Sequence, residues 1–188
     1  MHELTRLIRE FSPTCAQEAA DKERMLQYIA LFPHDILTRE NPLCHFTASG
    51  WITDPARSKV LMIWHNIYRS WSWTGGHADG EADLLGVALR EAREETGLVQ
   101  VEPVLRSPVT LEIITVPGHV KRGAFVSPHL HLNLTFLLCA EDSQPLRPKS
   151  DENSGVAWFT PEEAEAACTE VWMRDHIYRK LNEKLRTL

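Results

Sequence analysis

The stretch from Trp71 to Leu98, WSWTGGHADGEADLLGVALREAREETGL, constrains this chain more than any other, because a glycine-rich loop runs straight into an amphipathic helix. Gly97 stands where a residue able to take the left-handed conformation closes such a helix. At about 100° per residue, Leu85, Ala88, Leu89, Ala92 and Thr96 form one core-facing stripe. Glu91, Glu94 and Glu95 gather on a neighbouring side, and at spacings i, i+3 and i+4 like charges repel. The crowding needs compensation. Arg90 and Arg93 can supply it, and so can a hard divalent cation such as Mg²⁺ or Mn²⁺, which prefers carboxylate oxygens and keeps positions open for water and phosphate.

The rest of the chain reads as a single α/β domain with a helical arm in front. Leu4, Leu7, Ile8 and Phe11 fall at helical spacing, and after Ser12-Pro13 a second helix carries Ala16, Ala19, Ala20, Met25, Leu26 and Ile29; Pro33 and Pro42 close the arm. This divides the chain into an extension, 1–42, and a domain, 43–188. From Cys44 the pattern becomes strand-like: HFTASGWIT, KVLMIWH, and runs near 99–105, 109–116, 130–139 and 156–159. Thr160-Pro161-Glu162-Glu163 is an N-cap, a first-turn proline and two dipole-matched carboxylates, predicting a helix to about Cys168, with another from about Trp172 to Leu185. Two stretches rich in Pro, Gly and Ser, 117–128 and 141–155, are expected as surface loops edging a site.

Twenty Lys and Arg against 26 Asp and Glu leave a net charge of −6, which disfavours polymeric nucleic acid and anionic membrane as partners. Much of the acid excess sits between Asp79 and Glu95. Cys15, Cys44, Cys139 and Cys168 are far apart, without a Cys-x-x-Cys pair, and no leader or membrane-spanning run is evident, so free thiols and a cytoplasmic location are expected.

The run Arg90-Glu91-Ala92-Arg93-Glu94-Glu95-Thr96-Gly97-Leu98 resembles the signature of the Nudix hydrolase family, in which a glycine, five residues, a glutamate and seven residues precede Arg-Glu-aliphatic-x-Glu-Glu-x-Gly-aliphatic. Every specified position of the second half is filled. Counting back places Gly76 at the first glycine, with Gly75 before it and Trp71 where an aromatic often precedes the pair; the match covers about twenty-three residues. The loop glutamate departs from the pattern: its place is taken by Ala82, with Glu81 one residue early and Asp83 one late. Thr74 replaces the common proline.

The resemblance implies an α/β/α sandwich with a mixed sheet that hydrolyses a diphosphate linkage in a nucleoside diphosphate derivative with Mg²⁺ or Mn²⁺. It implies Glu91, Glu94, Glu95 and the Gly75 carbonyl as metal ligands, and Arg90 as the arginine that orients Glu91. Glu91 is the first choice of general base and Glu152 the second. His129 and His131, at spacing two on a strand, share one face and are candidate substrate contacts, although an exposed strand face gives the same pattern. His77 in the glycine loop and Trp73 are further candidates, the latter with a core reading of equal weight. A small phosphorylated substrate is the expected partner. The helical arm is compatible with capping the site, supporting a homodimer or covering the sheet. Two alternatives stand beside hydrolysis: a Nudix-fold sensor that binds without cleaving, which the displaced glutamate allows, and an isoprenoid-diphosphate isomerase, which an intact REAREETGL run disfavours.

Overall fold

A computed structural model describes residues 1–121 and 123–187. Helices α1 (His2–Glu10) and α2 (Ala16–Leu31) come first, then strands β1 (Cys44–Thr53), β2 (Val60–His65), β3 (Ser70–Ser72) and β4 (Thr74–His77), and helix α3 (Leu84–Thr96). Strands β5 (Glu102–Pro103), β6 (Thr110–Val116), β7 (His119–Lys121), β8 (Ala124–Val126), β9 (His129–Cys139) and β10 (Asn153–Phe159) follow. Helix α4 (Pro161–Ala167), a π-helical stretch (Met173–Tyr178) and α5 (Arg179–Leu185) end the chain.

The main sheet is mixed, in the order β10-β2-β1-β9-β5, with β3 beside β2, β4 beside β1 and β6 beside β9. Strand β1 is parallel to β9 over its whole length, from Cys44 opposite Leu130 to Thr53 opposite Cys139. Its other edge is divided: Thr47–Gly50 pair with β4, and Ile52–Thr53 pair with β2. Buried on both faces, β1 sorts its residues by period two. Phe46, Ala48 and Ile52 join Leu132, Leu134, Phe136 and Leu138 in one core with Leu84, Ala88 and Ala92 of α3. Trp51 and Leu137, on the opposite face, pack with Ile177, Tyr178, Leu181 and Leu185. Along that same face lies a polar patch, where the Thr47 and Ser49 hydroxyls donate to Asn133 Oδ1 at 3.0 and 2.9 Å.

The arm covers sheet surface: Leu4, Ile8, Met25 and Ile29 belong to the same core as Phe46 and Leu132. Glu18 of α2 is fully buried, and Lys184 and Lys180 of α5 reach its carboxylate at 2.5 and 3.5 Å.

Three expectations need correction. The segment 71–77 is two short strands rather than a loop, because Gly75 and Gly76 let β4 lie against β1 where larger residues would clash: a Cβ on Gly75 would sit 2.6 Å from Ser49 Oγ. The loop expected over 117–128 contains the β7–β8 hairpin. The run 99–105 forms only the two-residue strand β5. Other boundaries follow the residues that specify them: Gly97 caps α3 with φ 76°, and Thr160 with Glu163 builds a reciprocal capping box on α4.

Candidate active site

A cleft of about 1030 Å³ opens beside β4 and is lined by Gly75, Gly76, Glu91, Glu95, Lys149 and Glu152 at its acidic side. Gly76 shapes it. Its missing side chain leaves room for Glu91, since a Cβ there would lie 2.5 Å from the Glu91 carboxyl carbon. One turn further along α3, Glu95 is 3% exposed and accepts a hydrogen bond from the Gly75 N–H at 2.9 Å. Burial pushes the Glu95 carboxyl up to about 8, and the charges of Glu91 and Glu152 add to this, while the Gly75 amide and Lys149 oppose it. Glu91 is raised as well, first by burial and then by the charge of Glu94.

Arg90 and Lys149 hold the remaining carboxylates. Arg90 donates to Glu81 at 2.6 Å and lies 3.6 Å from Glu91, so the early glutamate of the loop reaches the arginine. Asp83 does something else: it caps α3, accepting from the Gly86 N–H at 3.1 Å. Lys149 lies 3.2 Å from Glu94 and 3.0 Å from Glu152, joining the helix to the 141–155 loop. Glu94 therefore faces the rim, with its side chain 46% exposed, while Glu91 and Glu95 face inward.

The structure brings His77 and His131 to the same cleft and sets His129 beside them, its ring 5.1 Å from that of His131. Trp73 borders the cleft but is mostly buried in the second core, its ring edge-on to Tyr178 and its backbone N–H donating to the Tyr178 hydroxyl at 3.2 Å. Sequence reasoning missed His45, whose ring lies 5.2 Å from that of His77 and 5.0 Å from that of His131. The signal was present in HFTASG, where His45, Thr47 and Ser49 recur at period two on the polar face of β1. Also missed was the apolar lip of the cleft, formed by Ile67, Tyr68, Val171 and Trp172, all exposed.

The carboxylate end suits a hard divalent cation. Its donors are oxygens, two of them drawn inward by glycines, and Glu95 is charged at neutral pH only if positive charge comes close. Among the described residues the lysine nearest this group, Lys149, is already shared by Glu94 and Glu152. Glu91 and Glu95, which line the cleft, are thus compatible with the cation that the motif implies, while Glu94 is turned to the rim and paired with Lys149.

A sequence model of the NUDIX domain matches residues 45–181. The chain is similar in structure to a hydrolase of the NUDIX family from Clostridium perfringens, with 21% identity and a TM-score of 0.55 over 76% of this chain and 97% of the other. It is similar to an Ap4A hydrolase from C. elegans, at 18% identity and TM-score 0.52, covering 76% and 98% of the two chains. The E. coli dihydroneopterin triphosphate pyrophosphohydrolase aligns with a TM-score of 0.56 at 13% identity, over 76% and 96%. No protein of curated function matches the sequence. The domain match spans most of the chain and includes the glycine strand and the acidic helix, and the chain belongs to the Nudix hydrolase family.

Proposed function

We infer that the protein hydrolyses a diphosphate linkage in a nucleoside diphosphate derivative, of the nucleotide, nucleotide sugar or dinucleotide type, with Mg²⁺ or Mn²⁺ held by Glu91, Glu94, Glu95 and the Gly75 carbonyl. The observation that carries this reading is Glu95: a buried carboxylate on the cleft wall with a backbone amide and other carboxylates for neighbours. The solved relatives named as an Ap4A hydrolase and a dihydroneopterin triphosphate pyrophosphohydrolase are in keeping with it.

The bound cation supplies charge neutralisation and Lewis-acid polarisation of the phosphoryl oxygens. The chain supplies the rest. Glu91 accepts the proton of the attacking water as the phosphorus–oxygen bond to the leaving phosphate breaks; its place on the cleft wall rather than its basicity suits it to this, because a cation beside it lowers its pKa. Arg90, anchored by Glu81, keeps Glu91 from rotating away. Glu152 is the second candidate base, on the acidic side of the cleft and paired with Lys149. His77 and His131 on the cleft wall, with His129 beside them, are placed to act on the phosphate end of the substrate, and Trp73 borders the cleft from the second core. Tyr68 and Trp172 at the lip offer aromatic faces to the non-phosphate group. That Glu81 reaches Arg90 supports hydrolysis over the non-hydrolytic sensor, because the displaced loop glutamate was the feature that allowed the sensor.

The reading is tested by incubating the protein with nucleoside di- and triphosphates, nucleotide sugars and dinucleotides in the presence of Mg²⁺ or Mn²⁺ and following phosphorus by NMR. Cleavage between two phosphates of at least one compound, abolished by chelator, is expected. Binding by calorimetry with every compound left intact would contradict it.

A further inference from the structure

We propose that His45, His77 and His131 form a second cation site, a three-imidazole centre for Zn²⁺ or a similar late first-row divalent ion, with its open coordination position toward the cleft. The sheet register assembles it. His45 on β1 is the direct partner of His131 on β9, and His77 on β4 is the partner of Thr47, two residues beyond His45. Side chains alternate between faces along a strand, so three adjacent strands present these imidazoles on one face. One ligand nitrogen from each lies within 4.8 Å of the others. A tetrahedral centre with Zn–N bonds of about 2.0–2.1 Å needs nitrogens about 3.4 Å apart. Rotation about the side-chain bonds would have to close that difference.

The nitrogens themselves point to a ligand. His45 Nε2 and His131 Nε2 are buried with no hydrogen-bond partner, and His45 is only 4% exposed. Buried polar atoms in native proteins are normally satisfied, so two orphaned ring nitrogens in one cluster call for an explanation. His45 Nδ1 lies 3.4 Å from the Asn41 carbonyl oxygen. With the proton on Nδ1 and directed there, Nε2 keeps its lone pair, the tautomer and backbone contact that metal-binding histidines commonly adopt.

Donor chemistry separates this site from the carboxylates. Imidazole nitrogens favour Zn²⁺, Cu²⁺, Ni²⁺ or Co²⁺, whereas Mg²⁺ prefers oxygen. Three protein ligands with a remaining open position is also the arrangement of reactive rather than structural zinc. His77 and His131 line the cleft, so the open position is available to an anionic oxygen of whatever binds there. His129 flanks the group with its ring 5.0 Å from that of His45, while its Nδ1 lies 2.9 Å from the Ser127 carbonyl.

The test uses full-length protein stripped with chelator and titrated with Co²⁺, then with Zn²⁺, in the absence of nucleotide. One equivalent of Zn²⁺ per chain is expected by calorimetry, with tetrahedral-type visible absorption from Co²⁺ that Zn²⁺ displaces and excess Mg²⁺ does not. His77→Gln and His131→Gln should each weaken Zn²⁺ binding at least about 100-fold. Glu94→Gln combined with Glu95→Gln should leave it unchanged, which separates this site from the carboxylate site whatever becomes of the latter. Far-ultraviolet circular dichroism checks that each variant is folded. Absence of Zn²⁺ and Co²⁺ binding by the unaltered protein, binding that survives both histidine substitutions, or binding lost with the glutamates would each overturn the proposal.

Discussion

Glu18 and Glu95 are the same side chain at nearly the same depth, 0% and 3% exposed, and their surroundings drive them in opposite directions. Burial raises both. At Glu18 the hydrogen bond from Lys184, the Thr14 N–H and the charge of Lys180 outweigh burial, leaving the carboxyl below its ordinary value. At Glu95 a single amide and a distant lysine do not, and the carboxyl rises to about 8. The first is a completed ion cluster that fastens the helical arm to α5; the second lacks a cation of its own. Buried acids therefore divide into those whose counter-charge belongs to the chain and those whose counter-charge must arrive, and only the latter mark a site.

Substitution separates the two most strongly. Glu95→Gln should lower kcat for diphosphate cleavage by about 10²–10³-fold, the scale of losing one transition-state-stabilising group, with the fold retained by circular dichroism. Stability against pH should show the same contrast in the metal-free protein. Because the folded pKa of Glu95 is raised, its contribution is fully present below about 4.5 and lost as pH rises through about 8. The unfolding free energy from urea titration should fall across that window by on the order of a few kcal/mol. Glu95→Gln or saturating Mg²⁺ should flatten the fall. Glu18 acts with the opposite sign: its contribution is present above the ordinary carboxylate value and lost as pH falls through its lowered pKa.

Removing Glu18 tests the other half. Glu18→Gln removes the carboxylate partner of Lys184, while Lys180 keeps Glu112 at 3.0 Å, and should destabilise the chain by about 3 kcal/mol in urea titration, with turnover per folded molecule unchanged. Gly76→Ala places a methyl group against the Glu91 carboxyl and should cost about 1–3 kcal/mol while reducing turnover by displacing Glu91; equal activity would show that Glu91 need not stay there. The smallest effect belongs to Arg39→Ala. It breaks an exposed pair with Asp79, Nη2 to Oδ2 at 2.6 Å, and should change stability by no more than about 1 kcal/mol.

The acidic helix was legible because every element of it is local. Its stripe, cap and three glutamates follow from spacing in thirteen residues, and the structure keeps them. The β4 strand was not, because glycines carry no strand propensity and are held there by pairing with β1 and by the Glu95 carboxylate, partners distant in sequence. The displaced loop glutamate was ambiguous for a related reason: Glu81 and Asp83 are equally acidic, and only the turn geometry sends one to Arg90 and the other to the helix cap. His45 stayed hidden because its significance lies across the ladder, opposite His131, and a parallel pairing between β1 and β9 cannot be read from either strand alone. The arm's helices follow from periodicity, but the buried contact between Glu18 and Lys184 joins segments from opposite ends of the chain.

The claim that Glu95 awaits a cation is tested most directly by measuring proton release when Mn²⁺ binds at pH 7, using calorimetry in buffers of differing ionisation enthalpy. A carboxyl raised to about 8 is largely protonated at that pH. Binding should then expel about one proton per chain, and Glu95→Gln should abolish that release. Mn²⁺ binding without proton release, or the same release from the Glu95→Gln protein, would contradict the account.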